Sequence, residues 1–253
     1  MHLLSAPGIG PLLFFGLSLT AFAAAFFSVF TGAAGGLLLL ATMSFVMPAA
    51  VLVPVHTVVM FGAGLTRTMI MWRFVMQKTI LPYVIGAAAG AALGATVFVA
   101  LPISMLLGIL GAFILLVTWM PTVGRIGAER GRFVVLGFFT TFIGVFVSAT
   151  GTLLAPFVAS AAPDRRNHSA TLGALMLTTH VAKLAAFGAI GFAIGPFIPL
   201  ATAMIATSAA GNWVGKVALH RTSEGRFRLI FQFVLTVMAL RLLWNAAKAA
   251  GFI

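Results

Sequence analysis

Cysteine is absent from the 253-residue chain, and acids nearly so: Glu129, Asp164 and Glu224 are its three carboxylate side chains. The first absence excludes disulfides and thiolate metal sites and leaves the compartment open. The second removes paired-carboxylate hydrolysis. Because all three acids fall in polar stretches between apolar runs, it also argues against sodium or metal transport, which needs oxygen ligands, and against a carboxylate proton relay. His2, His56, His168, His180 and His220 show no HExxH or comparable ligand spacing. No nucleophile with a base at recognisable spacing is present, so the sequence reads as a non-enzyme without a cofactor.

What is there is hydrocarbon. Hydrophobic residues make up 62% of the chain and charged residues 7%, with a mean hydropathy of +1.17. Apolar runs of about 20 residues, the length of a membrane-crossing helix, recur from end to end, so residues 1–253 are expected to form a single transmembrane domain. The opening "MHLLSAPGIGPLLFFGLSLTAFAAAFF" lacks the Lys or Arg expected ahead of a cleaved signal peptide and reads as a retained span. The net charge of +12 suits cytoplasmic loops rich in Lys and Arg. A nucleic-acid partner would need a basic soluble face, which this chain does not offer.

Ten apolar segments can be marked: 11–30, 37–47, 51–72, 79–100 and 103–120, then, after a polar loop, 133–150, 152–162, 170–194, 197–218 and 229–246. Both halves run in the same order: a span, a glycine break, a short segment, three full-length spans. The short segments rise only about 16 Å as helix, half a bilayer, so each break is expected to lead into a re-entrant or discontinuous helix. With that reading, the basic loops at 73–78, 125–132, 165–166 and 216–228 fall on one face, the cytoplasmic one. The expected fold is an all-α polytopic membrane protein of two inverted repeats, about 8–122 and 131–250, each a glycine-broken helix plus three spanning helices.

The breaks read "FTGAAGGLLLL" from Phe30 and "FVSATGTLLAP" from Phe146. Irregular backbone at membrane depth is tolerated where it is buried in protein or lines a wet cavity, and the N–H groups it frees suit an anion; a plain kink packed on a neighbour remains the alternative. Gly86, Gly90 and Gly94, and Gly211 with Gly215, are spaced for close helix packing.

The polar residues inside the spans are cationic or hydroxylic: His56, Thr57 and Arg67 in one half, Thr178, Thr179, His180 and Lys183 in the other. Lys183 stands about 13 residues from either end of its predicted span, and buried charge there points to function. Arg67 lies near enough to Arg73 to snorkel, yet aligning the halves brings it opposite Lys183. Paired cations without acidic partners ask for an anionic ligand. His56 could donate to that anion, carry a coupled proton, or simply bond a backbone carbonyl.

With these features in order, the chain resembles the TauE/SafE family of small bacterial membrane proteins, the sulfite exporter and sulfonate permease group. The resemblance rests on Gly32 to Gly36, Pro48, "VHTVV" and the loop 73–78, then on "SATGTLLAP", Pro163, "SATLGA" and the helix bearing Lys183. It implies a secondary transporter of small anions, sulfur-containing or organic, in the bacterial inner membrane, working by alternating access. The candidate substrate-binding residues are Gly35, Gly36, His56, Thr57, Arg67, Gly151, Thr152, Thr179, His180 and Lys183. Proton coupling through His56 or His180 and a homodimer are both left open, and a non-transporting membrane scaffold is the alternative.

Overall fold

The computed structural model describes residues 6–31, 34–119, 131–218 and 224–252. Among the described residues it is helical, with α1 Pro11–Thr31, α2 Ala34–Met43, α3 Ala49–Met71, α4 Gln77–Ala100 and α5 Ile103–Trp119, followed by α6 Arg132–Val147, α7 Gly151–Ala161, α8 Arg165–Ala189, α9 Ile198–Ala218 and α10 Glu224–Ala249. Windows in α1, α4 and α8, and one from Gly195 to Gly215 that takes in most of α9, are long and apolar enough to cross a membrane. Hydroxyls survive in such helices by bonding backward to a carbonyl one turn earlier, as Ser18 does to Phe14 (2.9 Å) and Thr20 to Gly16 (2.8 Å).

The short helices α2 and α7 stand where the apolar pattern places the short segments. Other boundaries differ from the sequence expectation. α8 starts at Arg165 because Asp164 caps it, its carboxylate accepting from the N–H groups of Arg166 (2.7 Å) and Asn167 (2.8 Å). It ends at Ala189, not Ile194. Gly191 adopts φ +81°, while its N–H reaches Gly188 O (3.0 Å) and that of Phe192 reaches Phe187 O (3.0 Å). This paired closure, with a left-handed glycine just past the helix, halts α8 inside a run that stays apolar. α10 in turn begins at Glu224, within the stretch expected to be loop.

The chain divides into two compact units that interleave the sequence halves. The first contains Met1–Val59, Leu101–Met120 and Ala193–Ile253; the second contains Met60–Ala100 and Pro121–Phe192. In the first, α1 packs on α9 and on α2, and α5 packs on α10. In the second, α4 packs on α6, and α8 lies against α4, α6 and α7.

Glycine makes the closest of these packings. A Cβ on Gly86 of α4 would come within 1.9 Å of the Val134 carbonyl of α6, and one on Gly137 of α6 within 2.3 Å of the Tyr83 carbonyl of α4. In the first unit, a Cβ on Gly211 of α9 would fall 2.2 Å from the Phe22 carbonyl of α1. Backbone rests on backbone in both units, as small-residue faces permit.

Candidate functional site

In the second unit, α6 stops when Ser148 turns left-handed at φ 58°, a conformation that costs a residue with a Cβ roughly 1–2 kcal/mol. The Ser148 N–H closes onto Gly144 O (2.8 Å) and the Ala149 N–H onto Val147 O (2.7 Å). Two residues later α7 begins at Gly151. Its first N–H groups have no carbonyl one turn behind them, and they form the positive end of the helix dipole. Thr150, at the cap position, is fully buried but caps nothing. Its Oγ1 and that of Thr152 are both buried without a hydrogen-bond partner.

α8 delivers a cation to this break. Lys183 is 0% exposed, and its Nζ donates to Ser148 Oγ at 2.9 Å. Gly144 faces the approach: a Cβ there would sit in ordinary contact with Lys183 Cδ (3.6 Å), Thr150 Oγ1 (3.4 Å) and Thr179 Cγ2 (3.6 Å). Because α8 ends at Ala189, Lys183 sits nearer the helix end than the apolar pattern implies. It stays buried nonetheless. One turn on, Phe187 packs edge-on to Phe98 (5.6 Å between ring centres), which also meets Phe146 (6.3 Å), so aromatic surface lies one turn beyond Lys183 on α8.

Beside the break runs a row of hydroxyls whose direction can be deduced. Thr140 Oγ1 donates to the Leu136 carbonyl, which can only accept. Tyr83 OH, 2.7 Å from Thr140 Oγ1, must therefore give its proton to Thr140. Thr179 Oγ1, 2.7 Å from Tyr83 OH, must then donate to Tyr83, and Thr141 Oγ1 donates to Thr179 at 3.4 Å. The order is Thr141, Thr179, Tyr83, Thr140, Leu136 O. Thr179 thus turns its hydroxyl toward Tyr83 and its methyl toward Gly144. Tyr83→Phe leaves two buried threonine hydroxyls without their partner and is expected to cost about 1–3 kcal/mol, read as a lower melting temperature of the purified protein; an unchanged melt would mean that the row contributes nothing.

The first unit holds a smaller polar arrangement. Gly35, in the first turn of α2, presses on α1 so closely that a Cβ would lie 1.9 Å from the Ala24 carbonyl. His56 of α3 is 0% exposed, with Nε2 3.0 Å from Gly36 O. A carbonyl only accepts, so Nε2 carries the hydrogen. Thr57 donates to Val53 O at 2.7 Å. The break itself, Gly32 and Ala33, lies outside the described residues.

The candidate residues therefore form two groups. Gly35, Gly36, His56 and Thr57 belong to the first unit, with His56 joined to Gly36. Gly151, Thr152, Thr179, His180 and Lys183 belong to the second, where Lys183 and Thr179 flank Gly144 and Thr150. His180, 4% exposed, stands one turn before Lys183 on α8. Arg67 lies as far from the start of α3 as Lys183 does from the start of α8, but its side chain lies outside the described residues. Sequence reasoning missed Ser148, Thr150 and Tyr83. The first two stand in the quoted "SATGT", where the hydroxyls, rather than further glycines, carried the signal.

The family model described as sulfite exporter TauE/SafE matches residues 17–242. Neither the curated proteins nor the solved structures contain a match to the chain.

Proposed function

The chain belongs to the sulfite exporter TauE/SafE family, and from that premise we propose that it is a secondary transporter of small anions, sulfur-containing or organic, such as sulfite, sulfonates or carboxylates. It is a multi-pass membrane protein of a family of transporters rather than enzymes. The observation that carries the anion reading is Lys183: a fully buried lysine whose Nζ donates to the hydroxyl of a helix break. Asp164, the carboxylate among the described side chains, is committed to the first turn of α8. A buried cation held this way has its charge balanced when an anion arrives.

Transport by alternating access of two inverted repeats in the bacterial inner membrane completes the proposal, with basic loops cytoplasmic. The packing supports the repeat. In one unit α1, the first helix of its half, packs on α9, the fourth of the other; in the second unit α6 and α4 stand in the same relation. Lys183 and Arg67 would attract the anion, the start of α7 at Gly151–Thr152 and the start of α2 at Gly35–Gly36 are each a candidate cradle within its own unit, and His56 and His180 are the groups able to carry a coupled proton.

The test is uptake of radiolabelled sulfite, an alkanesulfonate and acetate into proteoliposomes holding the full chain. Saturable uptake of at least one, absent from empty vesicles, is the expected outcome. Flux equal to that of empty vesicles for every anion would sink the proposal in favour of a scaffold.

A further inference from the structure

Two basic stretches far apart in the sequence meet at one corner of the second unit. Between α3 and α4 the backbone makes a single 3-10 turn, Trp72–Phe74, and the start of α8 holds it in place. Asn167 Nδ2 donates to the Phe74 carbonyl (2.9 Å), and Thr171 Oγ1 accepts the Met76 N–H (2.9 Å). The Arg166 guanidinium lies over the Phe74 ring, 5.7 Å from its centre. Arg73, Lys78 and Arg166 are all exposed here. Asp164, the carboxylate among the described side chains, is taken up by the first N–H groups of α8. The corner therefore offers three cations on a fixed frame. It also marks an edge of the bilayer, because the membrane-crossing windows of α4 and α8 open at Gln77 and Arg166, both beside this turn.

We propose that this corner binds the headgroup of an anionic phospholipid, such as phosphatidylglycerol, with Arg73, Lys78 and Arg166 as the cations that attract its phosphate. The charges ask for an anion. Lys78 and Arg166 each take the second position of a helix, where the dipole disfavours a cation, and a phosphate held by both offsets that repulsion. The apolar neighbours ask for a lipid. Met69 is 70% exposed and Trp72 53%; a dissolved phosphate would leave both in water, whereas glycerol and acyl chain cover them, and tryptophan is at home at the membrane–water interface. Basic loops bias the direction of insertion by their number alone. A corner whose backbone is hydrogen-bonded across 93 residues of sequence goes further, because it keeps its cations together in the folded protein. It uses none of the residues proposed to meet the transported anion, and it stands whatever that anion is.

The experiment is native mass spectrometry of the full chain in detergent, with equal amounts of phosphatidylglycerol and phosphatidylcholine of matched acyl chains. Wild type is compared with Arg73→Gln/Arg166→Gln, with Arg73→Lys/Arg166→Lys, and with Arg241→Gln/Lys248→Gln, which removes two exposed cations of α10. Each cation near an anionic headgroup contributes roughly fivefold in affinity, so wild type should prefer phosphatidylglycerol by about tenfold or more. The glutamine pair at the corner should lose about tenfold of that preference, while the lysine pair, which keeps the charge, and the α10 pair should retain it. Soluble sn-glycerol 3-phosphate added in excess should not displace the lipid. A wild type without preference, a corner glutamine pair that keeps it, or a lysine or α10 pair that loses as much would overturn the proposal. So would displacement by glycerol phosphate, which would make the occupant a soluble anion.

Discussion

Lys183→Met is expected to abolish anion-dependent stabilisation and, at the same time, to raise the melting temperature of the unliganded protein. Methionine has nearly the length and flexibility of lysine without the charge. The wild-type ammonium is fully buried and held by one serine hydroxyl, which offsets only part of the desolvation cost of an ion, still several kcal/mol after relaxation. Removing the charge deletes the Lys183–Ser148 hydrogen bond, a loss of about 1 kcal/mol, and recovers more, so a net gain of about 1–4 kcal/mol is expected. Thermal unfolding with and without ligand reads both effects together. A ligand stabilises the state it binds, so the ligand-induced shift should vanish while the baseline moves up. A lysine that served only the architecture would give the opposite signature, a lower baseline.

Gly86→Ala should be among the most damaging single methyl groups at the described glycines. Its Cβ would come within 1.9 Å of the Val134 carbonyl and 2.8 Å of the Phe138 nitrogen. Both are backbone, so no rotamer change relieves the clash, and α4 must part from α6. Overpacking typically costs up to about 3 kcal/mol, and this contact stands at the upper end. The damage extends to the site, because α6 carries Thr140, Thr141, Gly144 and the turn to Ser148. Gly16→Ala in α1 is the control: a Cβ there meets nothing within 4 Å, and helix propensity alone favours alanine by about 0.5–1 kcal/mol. The check is the yield of folded protein and its melting temperature. Equal melts for the two variants would refute the close-packing account.

Much of this architecture was legible in the chain. The ten apolar segments fall on ten α-helices among the described residues, because in a membrane the hydrophobic pattern and the helix pattern are the same requirement. The glycine face of α4 could be read from a four-residue spacing. Lys183 stood out because a lysine among aliphatics is costly wherever it lies. Other features could not be seen. The end of α8 was hidden because Ile190, Phe192 and Ile194 continue the apolar run, and only the left-handed Gly191 reveals the stop. Tyr83 is 57 residues from Thr140 and 96 from Thr179, and nothing local to α4 indicates either partner. Ser148 and Thr150 were in view within the quoted "FVSATGTLLAP" but were not marked as candidates, whereas their hydroxyls are what meets the lysine and faces the break.

The hydroxyl row through Tyr83 also bears on the membrane as an electrical barrier. A continuous line of O–H groups is the usual medium for proton hopping, yet hopping needs every oxygen to pass a proton forward and then rotate to reset. Here the last proton rests on the Leu136 carbonyl, a backbone amide with nothing to hand on, and each earlier oxygen is held by the one after it. The row is a dead end. It supplies polarity to orient Thr179 without short-circuiting the proton gradient, so any proton that travels with the cargo must take another route.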